Sequence, residues 1–103
     1  MPDFNATVDH QLSVEEATEK LKSFLDHVKQ DYGEQVSKLD GSWEANVLTF
    51  TLTTYGLDIT GVLTVEENAA VVKGTLPFMA LAFRGRIEES IKQNLSKALK
   101  AEQ

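Results

Sequence analysis

The chain has 103 residues, with 10 Lys and Arg against 16 Asp and Glu, a net charge of −6, and 42% hydrophobic residues. That length suits one domain, the composition is globular rather than disordered, and the acidity argues against a nucleic-acid binder. With no cysteine the sequence has no disulfide, no thiol nucleophile and no cysteine zinc site.

No apolar run is long enough to cross a bilayer, so no transmembrane segment is expected. The start Met-Pro-Asp-Phe-Asn has neither the basic nor the apolar region of a signal peptide, which points to a cytoplasmic protein. No linker, repeat or low-complexity stretch interrupts residues 1–103, which read as a single domain.

Residues 3–10 alternate, with Phe4, Ala6 and Val8 on one side and Asp3, Asn5, Thr7 and Asp9 on the other, as in a half-buried strand. Ser13-Val14-Glu15-Glu16 has the spacing of a capping box. The helix it opens runs to about Tyr32 on a stripe of Val14, Ala17, Leu21, Phe24, Leu25, Val28 and Tyr32. Glu16–Lys20 and Lys22–Asp26 have ion-pair spacing, and Gly33 suits a left-handed C-cap. A strand over 36–44 carries Val36, Leu39 and Trp43, which do not share one parity, so a bulge or bend is expected near Gly41.

The strand over 47–54 sends Leu48, Phe50 and Leu52 one way and three threonines the other. Tyr55-Gly56 and Glu67-Asn68 are turn signals bounding a strand over 57–66, and a last strand covers 69–76. Gly61 and Gly74 fall on the inward parity, where a strand glycine marks a bend or a close approach. Pro77 ends the sheet. A helix from about 79 to 101 follows, with Met79, Phe83, Ile87, Ile91, Leu95, Ala98 and Leu99 as its stripe and Glu88–Lys92 as an ion pair. At about 1.5 Å per residue it is roughly 35 Å long and crosses the whole sheet.

The order β-α-β-β-β-β-α with short turns predicts an α+β fold of two layers, a five-stranded antiparallel sheet packed on two helices. Placing the first strand beside the last gives the strand order 2-3-4-5-1. The arrangement is similar to a reduced helix-grip fold, a curved antiparallel sheet around a long C-terminal helix.

Little in the sequence points to catalysis. His10 sits at a strand end and His27 beside the helix stripe, and a metal site from His27 and Asp31 at i,i+4 is common by chance. Most carboxylates fall on wet positions; Glu44 beside Trp43 and Asp58 beside Leu57 are the two singled out as candidates for partial burial. No glycine pattern forms a phosphate cradle. No cofactor, no metal and no catalytic set is therefore expected. Asn5-Ala6-Thr7 and Asn94-Leu95-Ser96 match the glycosylation pattern, which has no meaning without a secretory signal. The charge is uneven: residues 1–76 hold five basic and 13 acidic residues, net −8, and residues 77–103 are net +2.

The most unusual segment is Leu76-Pro77-Phe78-Met79-Ala80-Leu81-Ala82-Phe83, followed by Arg84-Gly85-Arg86. Phe78, Met79, Leu81 and Phe83 make its turns apolar nearly all round, so they are either buried under a curling sheet or form a contact surface. Such a surface suits a homodimer, a lipid-like surface or the wall of a ligand pocket, and Arg84 and Arg86 suit its border.

The capped helix Ser13–Ala17, the strand Gly61-Val62-Leu63-Thr64-Val65, and above all Leu76-Pro77-Phe78 with Phe83-Arg84-Gly85-Arg86-Ile87-Glu88-Glu89-Ser90-Ile91 resemble the polyhydroxyalkanoic acid system protein family. These are short bacterial proteins linked to polyhydroxyalkanoate granule gene regions, and the resemblance covers about residues 5–100. It brings no catalytic residue. It implies a setting and not a mechanism; together with the excess apolar surface it points to a non-enzymatic accessory or binding protein that associates with the granule surface or a granule protein through the Phe78–Arg86 segment. The alternative is a carrier of a small apolar ligand between the C-terminal helix and the sheet, with Gly61 and Gly74 leaving room for it.

Overall fold

A strand that alternates apolar and polar residues has one face to hide, and five such strands make a sheet that is dry on one side only. The computed structural model describes residues 2–100. Its elements are β1 (Asp3–Asp9), α1 (Val14–Leu21), α2 (Phe24–Tyr32), β2 (Val36–Glu44), β3 (Val47–Thr54), β4 (Leu57–Glu66), β5 (Ala69–Thr75), a 3₁₀ turn (Phe78–Phe83) and α3 (Arg84–Lys100). The sheet has the order β1-β5-β4-β3-β2 with every neighbour antiparallel, as the sequence predicts. The helices cover its inner face, giving the α+β two-layer arrangement. Two-residue turns join β2 to β5, with positive φ at Ala45, Tyr55, Gly56 and Asn68.

One row of residues crosses all five strands on the inner face. Gly41 pairs with Phe50, Phe50 with Gly61, Gly61 with Gly74, and Gly74 with Phe4. Each glycine has a large side chain over it. Phe50 ring atoms lie 2.6–3.2 Å from where a Gly61 Cβ would be, the Phe4 ring lies 2.5 Å from a Gly74 Cβ, and Leu25 of α2 covers Gly41. The glycines thus leave no hollow, contrary to the expectation that Gly61 and Gly74 make room for a ligand. They let aromatic rings lie low on the sheet, where the helices pack on them. Phe24 of α2 meets Phe50 edge-on, with ring centroids 5.8 Å apart at 70°.

The N-terminal helical region is not continuous. The Ser23 hydroxyl donates to the Lys20 carbonyl at 2.9 Å, and the Ser23 amide reaches the same oxygen. A serine competing for a helix carbonyl tightens the turn, so α1 ends at Leu21 and α2 starts afresh at Phe24. The capping box at Ser13 and Glu16 is present. Lys22 pairs with Glu19 at 3.3 Å rather than with Asp26. Gly33 is right-handed, with φ −57°, because a tight bond from the Gln35 amide to the Tyr32 carbonyl turns the chain into β2 without a left-handed residue.

The expected irregularity in β2 exists, but at Ser37 and not at Gly41. The register shifts between Val36 and Lys38. That shift turns Val36 to the face of Leu39, Gly41 and Trp43, since all four then oppose the inward residues Thr54, Leu52, Phe50 and Leu48 of β3.

The C-terminal helix also starts later than its sequence stripe suggests. Residues 78–83 wind as 3₁₀, with the Ala80 amide bonded to the Pro77 carbonyl at 2.9 Å. The tighter winding changes the phase of the stripe. Ala80 is buried, and Met79 and Phe83 are turned out. The 17 residues of α3 span about 25 Å, not 35. α3 also shields the edge strand β1. The Glu88 carboxylate accepts from the Asn5 amide at 2.7 Å, which replaces the expected pairing with Lys92, and Arg84 donates to the Asp3 carbonyl at 3.2 Å. Asn94 is 1% exposed, so the second glycosylation match lies in the core, where its Nδ2 donates to the Ser90 carbonyl.

Gly74→Ala places a Cβ against the Thr60 carbonyl oxygen of the neighbouring strand as well as the Phe4 ring, whereas Gly61→Ala meets only the Phe50 ring. Both variants melt lower, Gly61→Ala by about 1–3 kcal/mol and Gly74→Ala by more, because backbone yields less than a ring. Thermal melts check the order. Equal melting of both variants and wild type contradicts the packing described.

Candidate ligand cleft

The core side chains are divided between two ends of the inner face. At the β1 end, α3 lies over the sheet and Phe4, Ala6, Val72 and Leu95 are buried. At the other end, α2 stands on one side and the start of α3 on the other. Between them is a cavity of about 520 Å³. Phe24, Leu25, Val28 and Tyr32 of α2 form one wall, and Ala80, Phe83, Ile87 and Ile91 form the other. Val36, Phe50, Leu52, Leu57 and Ile59 of the sheet form the floor. Gln35, Thr54, Tyr55, Arg86 and Ser90 complete the lining.

The cleft is closed at one end and open at the other. Phe24, Val28, Phe50, Ile59, Ala80 and Ile91 are buried, whereas Tyr55 and Phe83 are 81% and 54% exposed and Gln35 and Arg86 are also exposed. The volume lies within the range of small-molecule sites, which run to about 300–1,000 Å³. The Thr54 hydroxyl is committed to the Gln35 carbonyl at 2.6 Å. Lys97 bonds the Asp31 carboxylate at 2.5 Å and ties α3 to α2. Among the described residues no carboxylate and no imidazole lines the cleft. Its walls are fitted to hold an apolar group by burial, at about 25 cal/mol per Å² of apolar surface removed from water.

The segment singled out in the sequence is divided by the structure. Phe83 and Arg86 line the cleft. Phe78 and Met79 stand outside it, 78% and 79% exposed, so the sheet does not curl over them. Leu81 is half-buried. Arg84 is turned to the backbone of β1 and does not border the same surface as Arg86. The rest of the lining, notably Tyr32, Leu52, Tyr55, Ile87 and Ser90, was not legible as a site. Most of these residues read as core or turn, and a stripe of apolar residues does not reveal whether the space they face is full.

The other candidates have structural settings. His10 is buried, accepts the Leu12 amide at Nδ1 at 3.1 Å, and donates from Nε2 to the Glu66 carbonyl at 2.9 Å. It joins the loop after β1 to the end of β4. Asp31, the suggested partner of His27, is engaged by Lys97. Glu44 and Asp58 are exposed, and Asp58 accepts from the Thr53 hydroxyl at 2.6 Å. Among the described residues no three His, Asp or Glu side chains gather as a metal site, and no helix is long and apolar enough to cross a membrane.

The sequence model of the family described as putative polyhydroxyalkanoic acid system protein matches residues 5–99. The chain belongs to that family. The match runs from β1 to the end of α3, so the polyhydroxyalkanoic acid system family pattern includes every element that builds the cleft. No curated protein is similar to the chain at a significant level.

Removing the His10 ring leaves the Leu12 amide and the Glu66 carbonyl without their partner. His10→Ala is expected to lower stability by about 1–3 kcal/mol in urea unfolding. An unfolding midpoint equal to wild type contradicts the bridging role.

Proposed function

We propose that this member of the polyhydroxyalkanoic acid system family is a non-enzymatic accessory protein that works by holding an apolar chain in the cleft between α2, α3 and the sheet. The observation that carries the reading is the 520 Å³ apolar cleft with an exposed Phe83 at its edge. An aliphatic chain needs little from a protein beyond a dry, shaped volume, and this lining supplies one. The family description supports the setting, since a polyhydroxyalkanoic acid is an aliphatic polyester.

A second reading has its own observation. Phe78 and Met79 expose most of their surface side by side just after the sheet. Burying such side chains is worth about 1.5–3 kcal/mol each, which favours seating this corner on the apolar surface of a polyester granule. The two readings are compatible, because the 3₁₀ turn contributes Phe83 to the cleft and Phe78 and Met79 to the exterior. Together they give a cytoplasmic protein that works at the granule.

The test is a fluorescence titration with the neutral probe N-phenyl-1-naphthylamine. Wild type is expected to saturate at one probe per chain, and Phe83→Asp to weaken binding about fivefold or more without a change in melting. Phe78→Asp with Met79→Asp leaves this titration intact and lowers co-sedimentation with polyester granules. Absence of saturable binding, or equal weakening by the Phe78 and Phe83 variants, rejects the cleft as the binding site. Unchanged sedimentation of the double variant rejects the granule contact.

A further inference from the structure

Among the described residues Arg86 is the only one lining the cleft that carries a full charge at neutral pH. It is exposed at the open end, and among the described residues its guanidinium has no hydrogen bond or ion pair. Ser90 lies four residues on, one helical turn along the same face of α3, and also lines the cleft. Its hydroxyl likewise has no hydrogen bond among the described residues. A charged donor and a neutral donor therefore flank one stretch of an otherwise apolar site.

Arg86 lies in the first turn of α3, which contains no acidic residue. Arg84, the other cation of that turn, is occupied with the Asp3 carbonyl. Among the described residues Arg86 has no such partner, so its donors are free to meet a group outside the chain.

We infer that the cleft takes a single-chain amphiphile with a carboxylate head, the chain lying between α2 and α3 and the head meeting Arg86 and Ser90. This rests on the reading of the cleft as an apolar-chain site. One unpaired guanidinium neutralises one negative charge, and its planar pair of N–H donors matches the two oxygens of a carboxylate. A dianionic head fits less well. Among the described residues one cation lines the cleft, so a second negative charge on the head would go unpaired.

The experiment is displacement of the neutral probe from the intact protein by decanoate, 1-decanol and decyl phosphate, each kept below its aggregation threshold. Decanoate is expected to displace at about five- to tenfold lower concentration than decanol. Arg86→Gln should erase that advantage without altering the decanol curve. Arg84→Gln should preserve it. Equal potency of acid and alcohol on wild type, or an advantage that survives Arg86→Gln, overturns the head-group assignment and leaves the cleft reading standing. Decyl phosphate displacing more strongly than decanoate also overturns it, by assigning the head to a phosphate. If none of the three displaces the probe, the cleft reading itself fails and the inference goes with it. If the probe binds only as a dimer dissociates on dilution, the cleft belongs to a second copy of the chain and the amphiphile is excluded.

Discussion

The ring of Phe50 lying over Gly61 is the contact on which the rest of the arrangement depends. It keeps the middle of the inner face low, offers an edge-on partner to Phe24, and so sets the height at which α2 rides over β3. A side chain at position 61 would lift the ring, and α2 would rise with it. The same device recurs at both flanks, where Phe4 covers Gly74 and Leu25 covers Gly41. A row of three glycines weakens a sheet by its backbone entropy alone. Here each one admits a large apolar group, so the row becomes the seam along which the helical layer is attached.

That seam also explains why the cleft lies where it does. Phe24 and Phe50 close its inner end, and beyond them the floor is made of the aliphatic residues Leu52, Leu57 and Ile59. On the other side of the row, α3 fills the inner face with Leu95 and Ala98 against the β1 end of the sheet. Toward the turn between β3 and β4 the helical layer is thinner. α2 ends at Tyr32, and α3 is preceded by a 3₁₀ turn that directs Phe78 and Met79 outward instead of down. A domain of this size has few apolar side chains to spare, and leaving Phe78, Met79 and Phe83 exposed to water is costly. The cost is understandable if that end of the molecule meets apolar material, and Arg86 adds a polar limit to the same end.

The β2–β5 meander, its strand bounds and the capping box were legible because each rests on local rules: alternation, turn residues, and a serine three residues before a glutamate; the place of β1 beside β5 is a long-range pairing that local rules do not fix. The departures have equally physical origins. Val36 breaks the parity of Leu39 and Trp43, which shows that a bulge exists but not which residue is extruded, and Ser37 is the one. The stripe of the first helix continues through Ser23, where a side-chain hydrogen bond that no periodicity records divides it. Met79 and Phe83 have the spacing of an α-helical stripe, and 3₁₀ winding rotates them out of it. Phe78 to Arg86 stood out as unusual for its composition, yet its members face three ways, since composition does not encode orientation. The cleft was legible only as a possibility, because a filled core and a hollow one use the same residue types.

The measurement that most directly tests whether this end of the fold is a chain-binding site is a methyl-resolved NMR titration of the intact protein with decanoate. Chemical-shift changes concentrated on Leu52, Leu57, Ile59, Ile87 and Ile91, with Val8, Val72 and Leu95 at the far end of the inner face unmoved, are the expected result. Changes spread evenly over both ends, or confined to the Met79 methyl outside the cleft, contradict it.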